Sequence, residues 1–303
     1  MSASWMMVLA SALFASMGVC VKLAAAHYSA AEIVMYRGLI GAVLTALLCL
    51  RQGLSLRTAV PGMHLWRSIS GVSALCLWFY AIAELPLATA MTFNYMSSVW
   101  MAAFLLGGSV LLGAARLDGR LVAAVLVGFV GVGLLLRPTL APEQIWHALA
   151  GLTSGVLSAL AYLQVGALGR AGEPELRVVF FFSVGGAVAG ALLTSTLPEA
   201  GGWHGHSLRG AALLLAVGLL ATAAQLLMTR AYAVGKALTN ATLNYLGIVF
   251  SVLWGVLIFD ERLPWMSLLG MLLIVAAGFS ATLLRTRAAG PKPPPDMTAP
   301  KDS

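Results

Sequence analysis

The chain has 303 residues, of which 60% are hydrophobic and only 10% are charged, and its mean hydropathy is +0.92. Soluble domains carry about 25% charged residues, so this composition excludes a soluble protein and indicates an integral membrane protein with many spans. The net charge of +7 is therefore interpreted through its placement between loops, and it does not indicate nucleic-acid binding.

Apolar segments follow one another along the chain, separated by prolines and polar residues. They predict ten transmembrane helices, at residues 5–25, 31–50, 67–84, 88–112, 120–136, 147–168, 176–197, 209–231, 237–259 and 264–284. The first segment lacks a basic N-terminal region and is too long for a signal peptide, so we expect a retained helix. The tail at residues 288–303 is rich in Pro and Lys and is expected to be disordered.

Lysine and arginine are distributed unequally between the two sides of this topology. With the N-terminus in the cytoplasm, five of the 18 basic residues lie on the outer side and the other thirteen on the cytoplasmic side. The outer five are Lys22, Arg37, Arg137, Arg209 and Arg262. We expect a multi-pass protein of the bacterial inner membrane, and the positive-inside rule places both of its termini in the cytoplasm.

The ninth predicted span repeats features of the fourth. When the second half of the chain is aligned on the first, Asn244 and Tyr245 fall on Asn94 and Tyr95, which indicates an internal duplication. Because each half holds five spans, the second half enters the membrane upside down relative to the first. The predicted fold is therefore an all-α integral membrane protein whose ten transmembrane helices form two inverted five-helix repeats, residues 1–140 and 141–287.

Polar and small side chains share one face of the repeated spans. Asn94, Ser98 and Met101 lie on one face of span four, and Asn244 and Ser251 lie on the equivalent face of span nine. Such faces contact either a neighbouring helix or a wet cavity, because lipid offers amides no partners. We favour the cavity. With residues from other spans, the candidate substrate-binding set is Trp78, Asn94, Tyr95, Ser98, Met101, Ser158, Tyr162, Gln225, Asn244, Tyr245 and Ser251.

Three charged residues, Lys22, Glu32 and Arg37, approach the outer side and are candidates for gating or for attracting charge. One interpretation is structural, because cations near a span end can snorkel and Lys22 can pair with Glu32. The other is that Lys22 or Arg37 attracts a substrate carboxylate or forms an outer gate. No acidic residue lies deep in a predicted span, which argues against a proton-driven cation pump and favours zwitterionic or neutral solutes.

A few residues follow one another along the chain in an order that matches the pattern of a known family. Lys22 ends span one, Arg37 lies early in span two, Asp260-Glu261-Arg262-Leu263 follows span nine, and Gly270 lies in span ten. In this order the chain resembles the drug/metabolite transporter superfamily, in its EamA-like branch. It departs from the family at Ala15-Ser16, where Trp-Gly is usual. The resemblance implies export of amino acids, other metabolites or drugs by a ten-helix protein.

Motifs for other chemistry do not stand out in the sequence. His204 and His206 lie in a Gly-rich loop without a third metal ligand nearby. No phosphate-binding loop and no nucleophile motif is present, so we expect neither a cofactor nor an enzyme. Cys20, Cys49 and Cys76 lie in apolar runs without CxxC spacing.

The predicted function is a secondary active or facilitative transporter that exports small amphipathic metabolites by alternating access around a central cavity. Aromatic or large neutral amino acids are the first candidates. The alternatives are a multidrug or quaternary-cation exporter and a non-transporting membrane enzyme. The expected partners are a small-molecule substrate and the lipid bilayer, but no nucleic acid. A coupling proton is left open, as is the choice between a monomer and a homodimer.

Overall fold

The computed structural model describes residues 2–97, 99–101, 103–104, 107, 119–136, 142–196, 202–234, 243 and 245–288. Over these ranges the chain is helical and contains no strand. The described α-helices are α1 (Ala3–Ala24), α2 (Ala30–Arg51), α3 (Pro61–Glu84), α4 (Leu87–Tyr95), α5 (Gly119–Leu136), α6 (Ile145–Arg170), α7 (Glu175–Thr196), α8 (Leu208–Val234), α9 (Leu246–Phe259) and α10 (Trp265–Ala288). The tail predicted to be disordered lies, from residue 289 on, outside the described residues.

Six of the described helices, α1, α2, α3, α6, α7 and α8, are long and apolar enough to cross a membrane. The apolar stretches of α5, α9 and α10 are shorter, covering residues 122–134, 246–259 and 265–280. Large apolar side chains such as Leu50, Trp146 and Leu208 are exposed on the outside of the bundle, as expected where the solvent is lipid. The protein is therefore a multi-pass membrane protein.

Local sequence determines where α2 and α3 begin. Ser29 and Glu32 form a reciprocal capping box at the start of α2. Pro61 is the first residue of α3, where its fixed φ suits a helix and its missing N–H is not needed. The helix thus starts at residue 61 and not at residue 67 as predicted, and this places Arg67 well inside α3.

The contacts between helices of the first half and helices of the second half come in equivalent pairs. Extensive contacts join α2 to α7 and α5 to α10. The contact of α3 with α6 has its counterpart in α1 with α8, and that of α1 with α9 has its counterpart in α4 with α6. Exchanging each helix with the helix five places along converts this set of contacts into itself, which is the pattern expected of a five-helix repeat.

Glycines allow α2 and α7 to approach closely. A Cβ at Gly38 would overlap the backbone of Ala187, and a Cβ at Gly190 would overlap the backbone of Met35. Small residues at helix crossings are the usual means by which membrane helices gain close van der Waals contact. The α2–α7 contact therefore holds two helices of different halves closely together.

The helix connections meet at two opposite ends of the bundle. At one end, His27 in the α1–α2 connection lies 2.9 Å from the carbonyl oxygen of Gly205 in the α7–α8 connection. At the other end, Thr58 in the α2–α3 connection donates a hydrogen bond of 2.7 Å to Glu173 in the α6–α7 connection. These contacts agree with a chain that alternates between the two ends from helix to helix.

Candidate functional site

A cavity of about 70 Å³ lies inside the bundle, lined by side chains from both halves of the chain. Helices α1, α2, α3 and α4 contribute from the first half, and α6, α7 and α8 from the second. Its polar lining residues are Arg37, Arg67, Trp78, Asn94, Ser158, Tyr162 and Gln225. A polar cavity enclosed by apolar helices is a candidate binding site for a hydrophilic or amphipathic solute.

Five of the candidate substrate-binding residues lie together around this cavity: Trp78, Asn94, Ser158, Tyr162 and Gln225. Asn94 Nδ2 donates a hydrogen bond of 3.1 Å to Ser158 Oγ, which joins α4 to α6 across the two halves. The structure thus brings together polar groups that the sequence presented on separate helices.

Tyr95, Tyr245 and Ser251 were also candidates, but they do not line the cavity. The rings of Tyr95 and Tyr245 have centroids 6.4 Å apart, and Tyr95 packs over Gly247 while Tyr245 packs over Gly278. Ser251 Oγ donates a hydrogen bond of 2.8 Å to the carbonyl oxygen of Ile248 in its own helix.

Of the three further candidates, one lies away from the cavity and two lie outside the described residues. Met101 is half-buried and does not line the cavity. Ser98 and Asn244 lie outside the described residues, so their predicted contacts have no structural counterpart here.

Two buried arginines share one aromatic ring in the cavity wall. The Cζ atoms of Arg37 and Arg67 lie 5.3 Å and 4.3 Å from the ring centroid of Phe182, within the range of cation–π contact. Arg37 is 6% exposed and Arg67 is 5% exposed. Arg37 Nη2 also donates a hydrogen bond of 3.1 Å to Gln225 Oε1.

This guanidinium pair carries more hydrogen-bond donors than its surroundings satisfy. Arg37 Nε, Arg67 Nε, Arg67 Nη1 and the nearby Trp78 Nε1 are buried without a partner among the described residues. No acidic side chain lines the cavity in the part of the chain that the structure describes. Buried cations are normally paired, so this arrangement is a candidate site for an anionic group.

Arg67 was not among the sequence candidates, whereas Arg37 was placed near the outer side. The apolar run of span three was taken to begin at Arg67, so its charge was attributed to the cytoplasmic end. Pro61 is the signal that would have found it, because proline at the first helical position moves the start of α3 upstream.

The remaining candidate charges form contacts at the end of the bundle that holds the α1–α2 connection. Lys22 Nζ lies 2.6 Å from Glu261 Oε1 and donates a hydrogen bond of 2.7 Å to the carbonyl oxygen of Leu85. Glu32 is fully buried and its Oε2 lies 2.6 Å from His204 Nδ1. The Lys22–Glu32 pair weighed from the sequence is thus replaced by two pairs with other partners.

The opposite end carries a polar cluster around Glu173. Its carboxylate accepts hydrogen bonds from Thr58 Oγ1 at 2.7 Å and Arg177 Nη1 at 3.1 Å, and lies 3.1 Å from His64 Nε2. Partial burial alone raises the pKa of Glu173, but these hydrogen bonds and the charge of Arg177 outweigh it and lower the pKa below its ordinary value.

Comparison with known proteins gives a consistent result over almost the whole chain. The model of the EamA-like transporter family matches twice, over residues 1–137 and 145–282. A pseudopaline exporter of Pseudomonas aeruginosa is 34% identical over 271 residues, which cover 89% of this chain and 92% of that protein.

More distant matches agree in fold and class. An uncharacterized transporter of Helicobacter pylori is 27% identical over 92% of this chain and 93% of its own length. An S-adenosylmethionine uptake transporter of Rickettsia bellii is 23% identical over 74% and 73%. One solved crystal structure, 22% identical in sequence, superimposes with a TM-score of 0.62 over 93% of this chain and 98% of that one, which shows that the fold is shared.

Proposed function

Because the chain belongs to the EamA-like transporter family, we propose that it is a secondary active or facilitative transporter that exports small carboxylate-bearing metabolites. The single observation that carries the choice of substrate is the pair of buried arginines on Phe182 in the central cavity. Export is supported by the similarity to the pseudopaline exporter, which covers most of both chains. The relatives are transporters, which fits a protein that is not an enzyme.

The architecture proposed for this activity is ten membrane spans in two inverted five-helix repeats, residues 1–140 and 141–287. Three observations support it: the symmetric helix pairing, the alternation of connections between two ends, and the two matches of the family model. Five spans in each repeat invert the second relative to the first, which places the cavity at the repeat interface. The distribution of basic residues supports cytoplasmic termini in a bacterial inner membrane.

Amino acids are the first solutes to test, and the panel compares aromatic and large neutral ones with acidic ones. A carboxylate would bind the guanidinium groups of Arg37 and Arg67, and the apolar part would lie against Trp78 and Phe182. The same two cations disfavour a quaternary-cation exporter, because a cationic drug would enter a site of like charge.

The cavity must enlarge for transport. Its volume of about 70 Å³ is far below the roughly 300–1,000 Å³ of ligand pockets, so a bound solute of ordinary size needs a wider cavity. The Lys22–Glu261 pair joins α1 to the segment after α9 at the end predicted to face outwards. We therefore expect alternating access in which this pair separates when the outer side opens.

Transport by purified protein in liposomes tests the proposal. Vesicles are loaded with unlabelled solutes, and exchange with labelled amino acids and organic acids is measured with and without a proton gradient. We expect exchange of at least one carboxylate-bearing solute above protein-free vesicles. The proposed function is wrong if monodisperse, correctly inserted protein exchanges none of the carboxylates in the panel. Dependence on the gradient distinguishes proton coupling from uniport.

A further inference from the structure

We propose that the cavity binds a solute with two acidic groups, one held by Arg37 and the other by Arg67, on the ring of Phe182. The inference rests on the proposed function and narrows its substrate class. Neutral amino acids, which carry one carboxylate and one ammonium group, are then poor substrates. The preferred substrates are small dicarboxylates. Acidic amino acids rank below them, because their ammonium group leaves one positive charge uncompensated, but above neutral amino acids.

The argument begins with charge. Both guanidinium groups contact Phe182, so the distance between their Cζ atoms is at most the sum of the two ring distances, under about 10 Å. Both side chains are more than nine-tenths buried, and among the described residues no carboxylate lines the cavity. Two like charges this close in a poorly solvated site repel each other and require counter-charge.

Counting charges decides between one acidic group and two. A solute with a single carboxylate neutralises one guanidinium and leaves the other buried without a partner. A zwitterion adds its own ammonium group to the site and restores the excess of positive charge. Only a solute with two anionic groups neutralises both arginines, and charge-assisted bidentate hydrogen bonds are the strongest contacts it can form with them.

The hydrogen-bond donors of the cavity point to the same class. Arg37 Nε, Arg67 Nε and Nη1, and Trp78 Nε1 are buried donors without partners in the described part of the chain. Arg37 Nη2 is already engaged by Gln225 Oε1. The site therefore offers a surplus of donors, and a ligand that satisfies them must be rich in acceptors, as carboxylates are.

Binding of matched acids to the purified protein tests this inference. Glutarate and its half-amide have the same length and differ by one carboxylate, and glutamate and glutamine form a second such pair. Affinity is measured by calorimetry or by thermal shift in detergent, and transport by exchange in liposomes. We expect the diacid of each pair to bind about tenfold more tightly than its amide, since each charge-assisted contact contributes on the order of one decade.

Variants assign the preference to the arginines. R37Q and R67Q are each expected to abolish the preference for the diacid. R209Q removes an exposed arginine and is expected to preserve that preference, so it controls for the change in net charge. Where a glutamine variant fails to elute as monodisperse protein, R37K or R67K replaces it. Lysine keeps the charge but loses the fork of donors, so a reduced preference is expected.

Separate outcomes refute the inference and the proposed function. Equal affinity for glutarate and its half-amide, or an undiminished preference in R67Q, overturns the two-acid site. Exchange of neutral amino acids without exchange of diacids also overturns it, while the transport function stands. Absence of exchange for every carboxylate tested refutes the proposed function itself.

Discussion

Lys22 and Glu261 form a salt bridge between the last turn of α1 and the segment after α9, with Nζ and Oε1 2.6 Å apart. Lys22 Nζ also donates a hydrogen bond to the carbonyl oxygen of Leu85, and both oxygens of Glu261 accept from the backbone N–H of Leu87, each at 2.9 Å. One ion pair thus connects α1, the start of α4 and the end of α9. This position at one end of the bundle is where we propose an outer gate.

Removing one partner of this ion pair is expected to destabilise the protein. Lys22 and Glu261 are 17% and 10% exposed, so E261Q leaves a poorly solvated lysine without its counter-charge. We expect a loss of about 1–3 kcal/mol in the free energy of unfolding, below the cost of breaking a fully buried pair. Thermal unfolding in detergent measures it. D260N removes the neighbouring exposed carboxylate and is the matched control.

The same variant is expected to open the outer side. Cys20 lies just before Lys22 in α1 and is half-buried, so it reports access from that side once Cys49 and Cys76 are replaced by serine. Labelling of Cys20 by a membrane-impermeant maleimide is expected to be faster in E261Q than in the parent. An equal rate, or an equal effect of D260N, contradicts a gating role for the pair.

Gly71 provides a way to move Arg67 without replacing it. A Cβ at Gly71 would collide with Arg67 Nη1, and this atom is the end of a flexible side chain, so the guanidinium group is displaced while the helix is retained. We expect G71A to reduce transport at least about tenfold, because binding depends on the placement of the fork of donors.

The control for this prediction lies on the same helix. Gly62 has nothing within 4 Å of an added Cβ, so G62A is expected to preserve transport. Both variants should elute as monodisperse protein with similar melting temperatures. Full activity of G71A would show that the position of Arg67 has no part in transport.

The sequence predicted the family and the helical membrane fold, and the family match confirms the first of these. Hydrophobic runs and their spacing carry this information because each helix needs an apolar length and a polar face. Trp78, Asn94, Ser158, Tyr162 and Gln225 lie on such faces, and all five line the cavity. Their role in substrate binding stays a prediction.

Sequence periodicity does not reveal which helix a polar or aromatic face meets. Tyr95 and Tyr245 were placed in the cavity because they repeat, yet each packs over a glycine of another helix, Gly247 and Gly278 respectively. Arg67 was overlooked because a charge at the edge of an apolar run is normally a helix end. Only tertiary packing places Arg67 beside Arg37 on the ring of Phe182, because these three residues lie far apart in the sequence.

The hydrogen bond between Asn94 and Ser158 joins the two halves at the cavity. N94A and S158A each remove this 3.1 Å bond, and we expect each to lower the transport rate about three- to tenfold without preventing membrane insertion. Because both variants remove the same contact, the double variant should be no worse than the more impaired single one. Additive losses would show that the two side chains act separately.

Asn244 is the sequence counterpart of Asn94 in the second half and lies outside the described residues. The repeat still predicts that N244A impairs transport without preventing insertion. Full activity in both N94A and N244A would show that the predicted cavity face is wrong. Liposome exchange, together with the yield of protein in the membrane fraction, measures both effects.

The paired tyrosines are expected to act through packing. A Cβ at Gly247 would overlap the hydroxyl of Tyr95, and a Cβ at Gly278 would overlap the hydroxyl of Tyr245. We expect G247A and G278A each to lower stability by about 1–3 kcal/mol, as overpacking usually does. G133A on α5, where an added Cβ meets nothing within 4 Å, should leave the melting temperature unchanged. A change in transport without loss of stability would instead point to a direct role of the tyrosines.

The Glu173 cluster at the other end predicts how stability depends on pH. The pKa of Glu173 is lowered in the folded protein by hydrogen bonds from Thr58, His64 and Arg177, which outweigh the opposing effect of burial. A group whose pKa is depressed by folding contributes stability that is fully present above its ordinary pKa of 4.5 and is lost as the pH falls through the lower folded value. The stabilisation is thus present at neutral pH and disappears in acid.

Replacing Glu173 by glutamine removes this dependence. We expect E173Q to lower the free energy of unfolding at pH 7 by about 1 kcal/mol, since the hydrogen bonds to a charged acceptor are lost but the site stays partly screened. As the pH falls below 4.5 the difference from the parent should shrink, because the unfolded parent binds a proton first and the folded carboxylate follows at lower pH. Melting curves between pH 3.5 and 7 in detergent measure this, with E175Q as the control at the start of α7. A constant difference across that range would mean that the charge of Glu173 does not stabilise this end of the bundle.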